Sequence, residues 1–83
     1  MSDAVKRYRF FDVRRRPAEL HRKTRDFDVV NARSGAELGS IEWYGPWRQY
    51  VLTSHAGVVW SAGCLADVQD FMRNHAREGE SDE

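Results

Sequence analysis

Residues 38–53 read LGSIEWYGPWRQYVLT, two runs rich in β-branched and aromatic residues on either side of Gly45-Pro46. Neither run repeats every three or four residues as a helix would, and a glycine-proline pair between such runs marks a chain reversal. Taken as a hairpin with a two-residue loop, the stretch sets Tyr44 opposite Trp47, Trp43 opposite Arg48, Ile41 opposite Tyr50 and Gly39 opposite Leu52. Side chains alternate along a strand, so Ile41, Trp43, Tyr50 and Leu52 share one face and Tyr44 and Trp47 lie on the other.

Working outward, strands are expected at 27–33 (FDVVNAR), 38–44, 47–53 and 58–61 (VVWS), broken by Ser34-Gly35, Gly45-Pro46 and Ser54-His55-Ala56-Gly57. A three-residue loop at Ser34-Gly35-Ala36 puts Phe27 opposite Trp43 and Val29 opposite Ile41, whereas a two-residue loop turns Asp28 into the apolar face. From Cys64 to Arg77 the period changes to three-and-four spacing at Leu65, Val68, Phe71, Met72 and His75, an amphipathic helix. Ser61 or Gly63 opens it, Gly79 closes it, and Asp67, Asp70, Arg73 and Arg77 suit its macrodipole. The fold class is therefore α+β: an antiparallel β-meander of four to five strands with a C-terminal helix packed on one face. The expected core is Phe27, Val29, Ile41, Trp43, Tyr50, Leu52, Val59, Leu65, Val68, Phe71 and Met72.

The other face then carries Val30, Leu38, Ser40, Glu42, Tyr44, Trp47, Gln49, Val51, Val58 and Trp60, too apolar for an open surface. Three covers are in play: the N-terminal segment folding back, a second copy of the chain, or another partner.

An 83-residue chain makes one domain and buries only roughly 60–65% of its unfolded surface. A hydrophobic fraction of 41% with 31% charged residues argues for a folded domain. The formal net charge of zero conceals an asymmetry. Residues 1–25 hold nine basic and three acidic side chains, +6, and residues 26–83 hold four basic and ten acidic, −6. The division is a basic N-terminal segment (1–25), a sheet-and-helix domain (26–78) and an acidic tail (79–83). The first segment reads either as a strand over Tyr8–Val13 with a short helix from Pro17 to His21, or as a partly disordered arm.

LG.I.WY..WR.YV followed by CL.DV..F resembles a group of short, functionally uncharacterised proteins of bacterial and phage genomes. The residues concerned are Leu38, Gly39, Ile41, Trp43, Tyr44, Trp47, Arg48, Tyr50 and Val51, then Cys64, Leu65, Asp67, Val68 and Phe71. The resemblance covers residues 27–75, supports a sheet plus a helix, and implies no activity. The topology is also similar to three-stranded DNA-binding modules at integrase N-termini, a likeness of architecture alone.

The feature that points outward is the basic segment. Lys6, Arg7, Arg9, Arg14, Arg15, Arg16, Arg22, Lys23 and Arg25, interleaved with Tyr8, Phe10 and Phe11, are suited to phosphates and base stacking, with Trp47 and Trp60 as further rings. The leading expectation is a non-catalytic accessory protein that binds nucleic acid through these residues. The alternative is a protein-interaction module, either a homodimer or a small phage or mobile-element factor occupying a host complex, with Tyr44, Trp47, Trp60, Val30 and Val51 as its partner face. Arg48 beside Trp43 is expected to make a cation-π pair of structural use.

An enzyme is not expected. Cys64 with a histidine is the one conceivable nucleophile pair, and a cysteine beside Leu65 at a helix start reads first as a small packed residue. His21, His55 and His75 lack metal-ligand spacing, no phosphate loop or dinucleotide fingerprint is present, and no cofactor or small-molecule substrate is expected. One cysteine excludes an internal disulfide, no apolar run reaches membrane-helix length, and the start MSDAVKRYRF lacks a signal-peptide core, so a cytoplasmic protein is expected.

Overall fold

A computed structural model of the protein describes residues 4–16 and 25–76. Five strands, β1 (Ala4–Arg7), β2 (Phe11–Arg15), β3 (Phe27–Asn31), β4 (Glu37–Tyr44) and β5 (Gln49–Ser54), precede one helix, α1 (Ala62–Asn74). The strands form a single antiparallel sheet in chain order, a meander, and α1 lies across one face. The α+β architecture expected from the hairpin is the one observed.

Strand parity explains the core. Phe11 and Val13 of β2, Phe27 and Val29 of β3, Ile41 of β4 and Tyr50 of β5 are all buried on the helix side, and α1 contributes Val68 and Phe71, with Ala76 just beyond it. Phe71 meets Phe27 edge-on at 4.9 Å between centroids, and Tyr50 packs at 5.4 Å against Trp43 and 6.4 Å from Phe27. Such tilted and edge-on contacts add about 0.5–1.5 kcal/mol per pair beyond the burial of area.

Both expected hairpin registers are displaced by two residues. Phe27 pairs with Ile41 and Val29 with Gly39, while Ile41 pairs with Leu52 and Trp43 with Tyr50. A slip of two conserves parity, so the faces stand although the partners change. The cause is turn chemistry. In the first hairpin the Asn31 carboxamide oxygen accepts from the Arg33 and Ser34 backbone N–H groups, at 2.8 and 3.0 Å, closing a turn over residues 32–35 across which the Asn31 N–H donates to the Ala36 carbonyl at 2.8 Å; the register break between Val29 and Val30 adds the one residue that keeps the faces in phase. Gly35 supplies the positive φ of 77° that this turn needs. In the second, Pro46 cannot adopt the positive φ of a tight type I′ turn. Gly45–Trp47 instead form one 3-10 turn, and Arg48, at φ 54° and ψ 46°, brings the chain back into β5.

The expected strand 58–61 does not form. Gly57, at φ 84°, turns the chain out of the sheet, and Val58–Trp60 cross its end towards the helix side. Val59 is consequently 90% exposed rather than in the core. Trp60 leaves the partner face assigned to it: it stands edge-on to Phe11 at 6.3 Å and donates its indole N–H to Ser54 Oγ at 2.8 Å. Leu38 likewise packs against the helix-side cluster, next to the register break between Val29 and Val30.

Ser61 caps α1, its hydroxyl accepting from the Cys64 backbone N–H at 3.1 Å. Cys64, Val68, Phe71 and Met72 face the sheet. Leu65, expected inside, sits about 100° around the helix from Cys64 and is 49% exposed.

The described part of the N-terminal segment, residues 4–16, joins the sheet and does not cover the second face. β1 and β2 extend the sheet in its own plane, and the expected helix over Pro17–His21 and the acidic tail lie outside the described residues. The second face is more polar than expected. Arg16 extends to Asp28 at 2.7 Å, Glu42 at 3.2 Å and Asp26 at 3.5 Å, bridging β3 and β4 on that side. Val30, assigned to an open partner face, is only 4% exposed.

Candidate nucleic-acid interface

The described cations of the first 25 residues are spread over both faces and the edge of the sheet. Strand alternation sends them to opposite faces, so the structure does not bring them together as one patch. Lys6 lies opposite Val13, and its ammonium stands 5.4 Å from the centre of the Tyr8 ring. Arg14 and Arg16 belong to the second face. Arg16 is held by its three carboxylates, while Arg14, paired in register with Ala4 and Asp28, keeps a buried Nε without a hydrogen-bond partner. Arg7, Arg9 and Arg15 are exposed, Arg25 is half-buried just before β3, and Arg22 and Lys23 lie outside the described residues.

Tyr8 anchors the β1–β2 turn to the helix. Its hydroxyl donates to Asp70 Oδ2 at 2.6 Å, and its ring lies 5.2 Å from that of Phe11. Burial, then the hydrogen bond and charge of Asp70, then Asp67, push the phenol well above its ordinary ionisation range. Asp70 is correspondingly held below the usual carboxylate range, first by the Tyr8 hydrogen bond, then by that of Asn74, with His75 and Lys6 adding their charges. Tyr8 and Lys6 are thus engaged in fixing the turn.

That anchoring displays the next two residues. Phe10 is 51% exposed, with the Arg9 guanidinium carbon 5.2 Å from its ring centre. The Ala32 N–H donates to the Phe10 carbonyl at 3.1 Å, tying the β1–β2 turn to the β3–β4 turn. Arg9, Phe10, Asn31, Ala32 and Arg33 together line a groove of about 500 Å³, with no carboxylate among the described residues of its wall. Arg33 and Asn31 were not among the expected site residues. Their signal is local: an Asn four residues before Gly forms the side-chain-capped turn seen here, and that turn puts Arg33 at its exposed tip. Phe10 also borders a neighbouring apolar groove of about 380 Å³ formed with Phe11, Leu38, Val59, Trp60 and Cys64.

Of the expected partner face, Tyr44, Trp47 and Val51 remain together. Tyr44 and Trp47 stand edge-on at 5.0 Å, exposed by 42% and 65%, and line a shallow depression with Val51, Leu52 and Thr53. The expected Arg48–Trp43 pair across the hairpin is replaced by Trp43 opposite Tyr50, with Arg48 in the turn.

Cys64, His55 and His75 are dispersed, and His21 lies outside the described residues. His55 stands 3.5 Å from Glu37 and His75 3.5 Å from Asp70, and eleven residues of helical rise separate Cys64 from His75 by about 16 Å. Among the described residues no helix is long and apolar enough to cross a membrane.

No family model matches the chain, and no solved structure matches it. It is similar to an uncharacterised 9.3 kDa protein of Acholeplasma phage L2, with 30% identity over 57 residues that cover 69% of this chain and 73% of the phage protein.

Proposed function

The chain belongs to the same family as the 9.3 kDa protein of Acholeplasma phage L2, and from that premise we propose that it is a small, non-catalytic accessory protein that binds single-stranded nucleic acid. We take LG.I.WY..WR.YV and CL.DV..F as the strings that carry the kinship. The observation supporting the binding role is the half-exposed Phe10 ring in one groove with Arg9 and Arg33, which no carboxylate of the described residues lines. An apolar ring held open to water between two cations matches a nucleotide, whose base offers a face to stack and whose phosphate takes the guanidinium groups. A single strand is required, because base faces in a duplex are stacked on one another. The free thiol of Cys64 fits a reducing compartment, and we place the protein in the cytoplasm.

The test is fluorescence anisotropy with labelled single-stranded and duplex DNA and RNA across a range of salt. Single strands bind more tightly, and Phe10→Ala weakens them by roughly 5- to 160-fold, the worth of one stacked base. Arg9→Ala and Arg33→Ala each reduce the salt slope by about 0.7. No binding at low salt, or equal binding by Phe10→Ala, refutes the proposal.

A protein-interaction role, as a homodimer or as a phage or mobile-element factor on a host complex, is supported by a different observation, the exposed Tyr44–Trp47 pair with Val51. Light scattering on the wild type and on Trp47→Ser separates the two: a dimer lost in the variant favours the second reading, and a monomer throughout removes self-association.

A further inference from the structure

At the opposite end of the sheet from Phe10, the β4–β5 turn and the last turns of α1 enclose a groove of about 400 Å³ lined by Trp43, Arg48, Gln49, Tyr50, Gln69, Met72 and Arg73. The eight residues of β4 separate the two ends by about 25 Å. The groove is small but within the range of ligand sites, about 300–1,000 Å³.

Its lining is unusual for a surface cleft. Two arginines from different elements line one space, and among the described residues no Asp or Glu does. Arg73 by itself is accounted for, since a cation in the last turn of a helix meets the negative end of its dipole. Arg48 is not. Among the described residues it is the one non-glycine residue with positive φ, at a turn position where glycine or asparagine is the low-strain choice. The left-handed turn residue that returns the chain to β5 is thus also one of the residues that line the groove.

The remaining walls specify the other half of a ligand. Trp43 is braced edge-on by Tyr50 at 5.4 Å, so its ring is fixed before anything binds. Met72 adds a soft apolar surface, and Gln49 and Gln69 bring two carboxamides, each both donor and acceptor. Paired guanidinium groups suit a phosphate, a braced ring suits a flat heterocycle, and carboxamides suit the polar edge of a base. We propose that this groove is a second binding site, for a nucleoside phosphate unit, with the base against Trp43 and the phosphate between Arg48 and Arg73. Its ligand is either a free nucleotide or one residue of a strand, and the site is independent of the Phe10 groove.

The experiment is an NMR titration of the ¹⁵N-labelled full-length chain with adenosine 5′-monophosphate, adenosine, inorganic phosphate and a short oligo-deoxyadenylate. Signals of the Trp43 indole and the Gln69 carboxamide move with the nucleotide, whether or not Arg33 in the Phe10 groove responds as well. Movement with the mononucleotide identifies a free nucleotide as a ligand, and movement with the oligomer alone identifies a strand; both support the site. Arg48→Gly, which relieves the turn while removing the cation, and Arg73→Gln each weaken binding by roughly tenfold. Phe10→Ala leaves the mononucleotide response unchanged, so this site and the Phe10 groove fail or stand separately. A Trp43 signal indifferent to every ligand overturns the proposal, as does phosphate binding as tightly as the nucleotide.

Discussion

Gly39→Ala tests the packing logic of the sheet most sharply. Gly39 pairs with Val29 on one side and Ser54 on the other. A Cβ built there lies 2.5 Å from the Thr53 carbonyl oxygen and 3.2 Å from Ser54 Cα, both backbone atoms of β5. Ordinary contact begins near 3.4 Å, so β5 must withdraw by roughly 0.9 Å, and no side-chain rotation relieves the overlap. Overpacking costs about 1–3 kcal/mol in general, and a clash with backbone belongs at the upper end, about 3 kcal/mol. A domain of this size has roughly 4–12 kcal/mol in total, so the midpoint of thermal unfolding falls by about 12–24 °C. Urea denaturation followed by tryptophan fluorescence measures the loss. Gly63→Ala is the matched control: its Cβ meets only Ser61 Oγ at 3.8 Å, within α1, and the variant gains up to about 1 kcal/mol from helix propensity. A Gly39→Ala protein within about 0.5 kcal/mol of wild type refutes the argument, because surface-like neutrality is incompatible with such a close approach.

Arg16→Ala leaves Asp28, Glu42 and Asp26 facing one another, and a double-mutant cycle with Asp28→Asn gives a coupling of about 1 kcal/mol, held down by the 37% exposure of the arginine side chain. A coupling near zero removes the network as a contributor. The Tyr8–Asp70 hydrogen bond predicts stability losses at both extremes of pH. In the unfolded chain Tyr8 ionises near its ordinary 10.0 while the folded state resists, so its contribution is complete below pH 10 and is lost as pH rises above it. Asp70, held below its ordinary 3.8, contributes above that value and loses the contribution as pH falls below it. Tyr8→Phe flattens the alkaline slope and Asp70→Asn the acid slope; unfolding midpoints across pH that are the same in variant and wild type contradict the assignment.

The relation between sequence and structure is clearest at the two hairpins. Alternation in FDVVNAR, LGSIEWY and WRQYVLT decided which side chains lie under the helix, and apart from Leu38, which the register break turns to the helix side, those assignments stand despite a two-residue displacement of both registers. Parity survives even slips, while turn geometry sets the count. Asn31 with its capped turn and Pro46 with its locked φ were legible in type but not in the number of residues they withdraw from the ladder. Val58–Trp60 look like a strand because β-branched and aromatic residues favour one, yet Gly57 carries them past the sheet.

The candidate sites divide in the same way. A basic segment with Phe10 in it was readable from composition, and charge is additive along a chain. Which cations remain available was not. Arg16 is taken by acids from β4 and from in and just before β3, Lys6 by Tyr8, and Arg33 arrives at Phe10 from a turn more than twenty residues away. The sequence by itself determined the elements that short-range physics controls: strand alternation, the helix with its Ser61 cap, and the charge asymmetry. Only the tertiary structure decided which groups meet, because proximity across a sheet depends on register and on the path of the chain between strands, and neither is encoded in any one local stretch.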